Sequence, residues 1–409
     1  MGRIKTFLPG IFLFGFTIGT GSVTAMAKAG TDYGMALLWT IFLSCIITGF
    51  MIHLFGKFAI VTGRTALSAF AQYIHPGFAI FFIITLTAHV CGSVIGVMGI
   101  ISDISFEWSK NIVDGGVPPL YFAIFYISLV YAIFLNGKMK VFEKVLAVLA
   151  GIMTVCFVIN FFILMPPIEE IGRGLIPGVP TTENDDNTFL IIASMVGTTV
   201  FSGLFVLRTT LVKEAGWTLA DLKTQRNDAI FAGFMMFAIS GAIMAAAAGT
   251  LHVQGAKMEN VTEMIVLLEP VAGFFAVAVF TLGLIAAGVS SQFPNVSLLP
   301  WLLNDYIGRK TDVNRMDYRI MVLVISLLGL IVPVFNAKPI PVMITSQAFG
   351  ALVLPVTVGC ILYMGNRKDL MKEYSFSWVI NIALVLILVF AAVMSYMSYN
   401  GLIAQIKAI

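Results

Sequence analysis

Gly15-Phe16-Thr17-Ile18-Gly19-Thr20-Gly21-Ser22-Val23-Thr24-Ala25-Met26 is the stretch on which the fold turns. It lies inside an apolar run of roughly residues 7–30, long enough to cross a bilayer as a helix. Glycines alternating with hydroxyls in mid-membrane loosen the backbone where no water can satisfy it. Such an interruption is tolerated where it lines a cavity, so Gly19–Ser22 is expected to be a break in the first helix and one wall of a binding site.

The rest of the chain supplies the membrane context. Of 409 residues, 59% are hydrophobic and 11% charged, and the mean hydropathy is +0.97. Soluble domains carry about 25% charged residues, so a bilayer must solvate most of this surface. A net charge of +3 is too small to point to a nucleic acid. No small-residue cleavage pattern follows Gly2-Arg3-Ile4-Lys5, and the first segment reads as a retained helix. Cys45, Cys91, Cys156 and Cys360 are far apart inside apolar spans, as packing residues would be.

Eleven spans are expected, at about 7–30, 33–56, 76–101, 117–136, 140–165, 187–211, 227–250, 264–290, 318–335, 342–363 and 376–399. The charges of the loops support that count. Of the 24 lysines and arginines, Lys28 and Arg208 lie well inside spans; with a cytoplasmic N-terminus, seventeen of the others fall in inside loops or at the inner ends of spans and five outside. This positive-inside bias places the protein in the cell membrane as a multi-pass chain, with its C-terminus outside. The loop 166–187, with Glu169, Glu170, Glu183, Asp185 and Asp186, is expected outside, and the basic loop 303–317 inside.

A second interruption opens the sixth span, at Gly197-Thr198-Thr199-Val200-Phe201-Ser202-Gly203. Either break alone is what close packing through small residues produces. Breaks at the start of both halves point instead to an inverted-repeat transporter with a midplane site. The expected organisation is a core over 1–363, with repeats 7–165 and 187–363, followed by an eleventh helix and tail over 364–409.

Further motifs carry a resemblance. Ala29-Gly30-Thr31-Asp32-Tyr33-Gly34-Met35-Ala36-Leu37-Leu38-Trp39 follows the first break, and Val196-Gly197-Thr198-Thr199-Val200 opens the second. Leu282–Ser291, Ser346-Gln347 and Asn366–Met371 come later in matching order. Together they are similar to the Nramp family of divalent-metal transporters. The resemblance implies an all-α membrane protein with the LeuT-type 5+5 inverted repeat and an additional eleventh helix.

The departures from the family pattern bear on cargo. Where the family has metal-binding Asp and Asn in the first break, this chain has Gly19 and Ser22; where it has Met-Pro-His in the sixth span, it has Phe201-Ser202-Gly203. The family's third-span acids align with Val90 and Ser93, and of its ligands the tenth-span glutamine, Gln347, remains. No metal-ligand set is expected, because Gly, Thr, Ser and Phe offer a dehydrated ion no anionic donor. An exposed half-helix N-terminus and hydroxyls suit a small carboxylate, an amino acid or a cyclic amino-acid derivative such as 5-oxoproline. The expected substrate-binding residues are Gly19, Thr20, Gly21, Ser22, Thr198, Thr199, Phe201, Ser202, Gly203 and Gln347.

His89, Ser93, Arg208, Ser290 and Ser291 are candidates for coupling or gating. His89 titrates near neutral pH in water and is a candidate proton carrier, though a hydrogen-bonded packing role also explains it. Arg208 would neutralise an anion, form part of an inner gate, or snorkel to the cytoplasm. Lys28 is expected to pair with Asp32 at i+4. The resemblance places Ser290 and Ser291 where some LeuT-type carriers hold sodium, a pair that metal-transporting relatives share. No cofactor is implied beyond a coupling proton or sodium ion; the partners are the bilayer and a small solute or ion.

The breaks favour a carrier over a channel, whose charged rings or filter repeats are missing from the sequence. His53, His75, His89 and His252 are scattered, so no enzyme constellation is expected. Behind the organic-solute reading stand proton-coupled divalent-metal transport through a non-standard site and, further back, a transporter-derived sensor.

Overall fold

A computed structural model describes residues 13, 17–135, 139–180, 185–255, 258, 261–309 and 311–407. The first half of span one therefore lies largely outside the described residues, as does Glu183. The first half of the chain folds into α1 (Thr20–Tyr33), α2 (Leu38–Thr62), α3 (Ala66–Tyr73), α4 (Pro76–Ser109), α5 (Pro119–Leu135), α6 (Met139–Leu164) and α7 (Ile168–Gly174). The second half holds α8 (Asp185–Thr199), α9 (Ser202–Glu214), α10 (Leu222–Ala247), α11 (Val261–Ile307), α12 (Met316–Leu327), α13 (Ile331–Phe335) and α14 (Pro339–Gly365). The short α15 (Lys368–Met371) leads into α16 (Trp378–Lys407). Among the described residues helices overlap all eleven expected positions, the first only from Thr20 onward; eight are long and apolar enough to cross a membrane, or nine if the bent pair Gly151–Leu164 and Ile168–Gly174 counts as one span.

The packing has the symmetry of two repeats. Span one (α1) packs on α10 as the sixth span (α8 and α9) packs on α2, and α6 packs on α11 as α14 packs on α4. Exchanging each span with the one five places along the chain maps these contacts onto one another, which is what a two-fold-related pair of repeats requires. The last helix, α16, lies against α14 and α8.

Several boundaries differ from expectation for physical reasons. α11 has 47 residues and continues through Ser290-Ser291-Gln292 to Ile307, where the sequence suggests an end near 290. Some of its polar groups find partners inside the protein: the Gln292 amide nitrogen donates to the Val94 carbonyl (3.2 Å) and the Ser297 hydroxyl to that of Phe293 (2.8 Å), while Gln292 Oε1 is buried without a hydrogen-bond partner. A buried helix end would leave carbonyls unpaired, so continuing the helix is the cheaper solution. α10 ends in a π-turn over Ala248–His252, and His252 Nδ1 lies 2.9 Å from the Thr31 carbonyl oxygen at the end of α1. Lys28 pairs with Asp32, Nζ to Oδ2 at 2.9 Å. In the loop after α14, Arg367 donates to both Asp369 oxygens (3.1 and 2.7 Å), and these bonds hold the Asp369 carboxyl below the usual carboxylate range.

Candidate functional site

Both breaks are tighter than the sequence suggests. α1 begins at Thr20, with Gly19 extended (φ −94°, ψ −176°) at its N-cap, so Thr20, Gly21 and Ser22 form a helical turn rather than an unwound loop. α8 runs to Thr199 and α9 restarts at Ser202, leaving Val200 and Phe201 between them. Thr199 stays helical while donating its hydroxyl to the Met195 carbonyl (2.8 Å). Neither Gly19 nor Phe201 supplies a side-chain cap, and neither half-helix has an acid in its first turn. Two uncapped helix N-termini, each a partial positive charge, therefore start at the two breaks.

Between the breaks is a cavity of about 20 Å³ lined by Thr17, Gly19, Gly21, Ser22, His89, Ser93, Thr198, Phe201, Ser291, Asn295 and Gln347. That volume holds about one water-sized occupant. A polar chain forms one wall: the Asn295 amide donates to Ser93 Oγ (3.2 Å), and Gln347 Nε2 lies 3.5 Å from the same oxygen and 3.2 Å from Met343 Sδ. Gln347 comes this close because residue 21 is glycine; a Cβ there would lie 2.5 Å from Nε2. Opposite, the rings of His89 and Phe201 stack with centroids 4.4 Å apart and planes 24° from parallel. The Ser346 hydroxyl donates to the His89 backbone carbonyl (3.0 Å). Ser22 Oγ is buried on the cavity wall without a hydrogen-bond partner.

The structure thus brings together Gly19, Gly21, Ser22, Thr198, Phe201 and Gln347 with His89, Ser93 and Ser291. Thr20, Thr199, Ser202, Gly203, Ser290 and Arg208 are buried nearby but do not line the cavity. Thr20 faces α11, where a Cβ at Gly288 would lie 2.8 Å from its Oγ1. The Thr48 hydroxyl donates to the Thr199 carbonyl, and Ser202 meets the Thr357 hydroxyl at 2.7 Å. Ser290 donates back to the Ala287 carbonyl (3.0 Å).

Arg208 neither snorkels nor reaches the cavity. It is fully buried and pairs with Asp228 on α10, Nη1 to Oδ2 at 2.6 Å, with its guanidinium 5.2 Å from the Trp217 ring centroid. Its charge is thereby neutralised inside the protein. Beside it, Gln225 donates to the Ile52 and His53 carbonyls (3.1 Å each), and His53 Nδ1 lies 2.9 Å from Gln225 Oε1. Asp228, Thr17 and Asn295 are not among the expected site residues. Asn295 stands one turn beyond Ser291, so an eighth helix carried past 290 would have exposed it; nothing local marks Asp228 as the partner of Arg208.

Two helix N-termini that start inside membrane spans, beside a small polar cavity, are the arrangement that carriers use for a midplane site. Residues 11–400 match the profile of the natural resistance-associated macrophage protein-like (Nramp) family, and the chain belongs to that family of secondary transporters. The divalent metal cation transporter MntH of Clostridium acetobutylicum is 22% identical over 98% of this chain and 92% of its own. Its namesake from Caldanaerobacter subterraneus is 25% identical, and the match spans 64% of this chain and 64% of that relative, less than two thirds of its length. Among solved structures, the manganese transporter of Eremococcus coleocola superposes with a TM-score of 0.75 at 15% identity, covering 98% of this chain and 86% of that one. The fold is the LeuT type expected from the sequence. Among these MntH relatives the organic-solute reading finds no support; they favour the metal alternative.

Proposed function

We propose that the chain is a secondary transporter that holds a divalent metal ion in the cavity between Ser22, Phe201 and Gln347. The observation that carries this reading is the Ser22 hydroxyl, a buried polar atom on the wall of a one-occupant cavity with no partner in the protein. Kinship with proteins named divalent metal cation transporters supports the cargo, and the cavity volume suits an ion stripped of most of its water. Its donors would be neutral: the Ser22 hydroxyl, the Gln347 and Asn295 amide oxygens and backbone carbonyls. No cluster of three His, Cys, Asp or Glu suited to a metal occurs among the described residues. Hard divalent ions prefer carboxylate oxygens, so binding here is expected to be weaker than at an acidic site. The loop charges support a cytoplasmic N-terminus and an external C-terminus.

One observation favours a second reading, a small carboxylate or amino-acid-like solute. Two uncapped helix N-termini meet at the cavity with no acid beside them, an arrangement that attracts an anion. That cargo requires Phe201 to swing away from His89 and widen the cavity. Counterflow in proteoliposomes separates the two. Manganese counterflow lost in Gln347→Ala supports the metal; counterflow of amino acids or 5-oxoproline without manganese supports the second reading. If neither moves, the cavity is not the transport site.

A further inference from the structure

Away from the cavity, α2 and α10 leave a trough on the outer side of the bundle. Gly49 and Gly233 face each other there, and a Cβ on Gly233 would lie 3.0 Å from the Cys45 carbonyl oxygen and 3.3 Å from Gly49 Cα. Lacking side chains at the contact, the helices meet backbone to backbone, as small residues allow in membranes. Phe42, Ile46, Ile230 and Phe234 then stand as walls around a cavity of about 470 Å³. These walls are 44, 53, 61 and 65% exposed, so no described part of the chain covers them.

The trough is apolar except at one end. His53 and Arg226 line that end, and Lys57, Arg226 and Arg208 all lie within electrostatic reach of His53. Asp228 is already paired with Arg208, so Lys57 and Arg226 leave a net positive charge. From Arg226 to Phe237 a helical rise of 1.5 Å per residue gives about 16 Å, half of a hydrocarbon core of about 30 Å. The charged end is the one that the loop charges assign to the cytoplasm, where anionic lipid headgroups lie.

We infer that the trough binds one anionic phospholipid of the cytoplasmic leaflet, an acyl chain between α2 and α10 and the phosphate against Arg226, with Lys57, whose ammonium lies 5.6 Å from the Phe376 ring centroid, adding positive charge beside it. A chain-length apolar slot ending in unneutralised cations at headgroup depth is complementary to that molecule in shape and in charge. Inorganic phosphate would leave the slot empty, and a zwitterionic lipid would bring its own cation to the basic end.

The test is native mass spectrometry of the full-length protein in detergent, titrated with dioleoyl phosphatidylglycerol or dioleoyl phosphatidylcholine, alongside melting curves with inorganic phosphate. One phosphatidylglycerol per chain is expected to bind at least about tenfold more tightly than phosphatidylcholine. Arg226→Gln and Lys57→Gln should each weaken it about fivefold, the effect of one basic residue at a membrane surface. Ile230→Trp, which fills the slot, should abolish tight binding without lowering the lipid-free melting temperature, and Arg309→Gln should change nothing. Equal binding of the two lipids, stabilisation by phosphate alone, or retained selectivity in Ile230→Trp overturns the inference. So does a dimer that Ile230→Trp disrupts, since a second copy would then be the occupant.

Discussion

Alanine at Gly21 should remove the cargo site while sparing the fold, and alanine at Gly197 should do the reverse. The Gly21 methyl would lie 2.5 Å from Gln347 Nε2 and 2.8 Å from its Cδ, against an ordinary carbon contact of about 3.5 Å. The amide must therefore retreat by about 1 Å, giving up its contacts to Ser93 Oγ and Met343 Sδ at 3.5 and 3.2 Å. Both are long, and at about 1 kcal/mol each the fold loses at most about 2 kcal/mol. A cargo that depends on that amide loses about 1–3 kcal/mol of binding, or roughly 5- to 150-fold. A methyl on Gly197 meets backbone instead: it overlaps the Gln347 carbonyl oxygen and lies 3.0 Å from the Ala351 nitrogen. Neither can rotate away, so overpacking should cost about 3 kcal/mol. Melting temperature in detergent reads the fold, and counterflow in proteoliposomes reads the site. Transport by Gly21→Ala within twofold of the parent, or an equal drop in melting temperature in the two variants, would refute this role for Gln347. The pair Gly21→Ala with Gln347→Ala should regain the stability but not the transport.

Asp228→Asn should destabilise the protein by about 3–5 kcal/mol in denaturation experiments, because it strands Arg208 as a buried cation; Arg208→Met with Asp228→Leu should recover most of that loss. Ser22→Ala should leave the melting temperature unchanged or slightly higher, since the hydroxyl has no partner to lose, yet weaken cargo binding about tenfold in a thermal-shift titration. Thr357→Val should cost about 1 kcal/mol by deleting the 2.7 Å bond to Ser202, and transport at saturating cargo should persist because Ser202 is off the cavity.

Much of the lining of the candidate cavity is legible in the sequence because its signals are local. Gly19, Gly21 and Ser22 stand out as flexible and polar residues inside an apolar run, and Phe201 follows a Gly-Thr-Thr interruption in the same way. The error at the breaks was one of extent: glycine and hydroxyl content marks where a helix is weak, but helix N-termini and back-bonded threonines decide how few residues actually unwind. Asn295 is not marked by the sequence because Ser290-Ser291-Gln292 and Pro294 look like the end of a membrane helix; in the structure the two serines bond back to their own helix at Ala287 and Gly288, and the Gln292 amide donates to Val94.

The sequence by itself determined that the chain spans a membrane, where its spans lie, which family it resembles and which residues interrupt its helices. All of these follow from hydropathy, residue type and order along a single line. Tertiary structure decided who meets whom: Gln347 with Gly21, Phe201 with His89, and Arg208 with Asp228 instead of an anionic cargo. Those contacts join residues up to 326 positions apart, as Gly21 and Gln347 are. A charge or hydroxyl shows its need for a partner in the sequence; which partner meets it depends on how the helices pack.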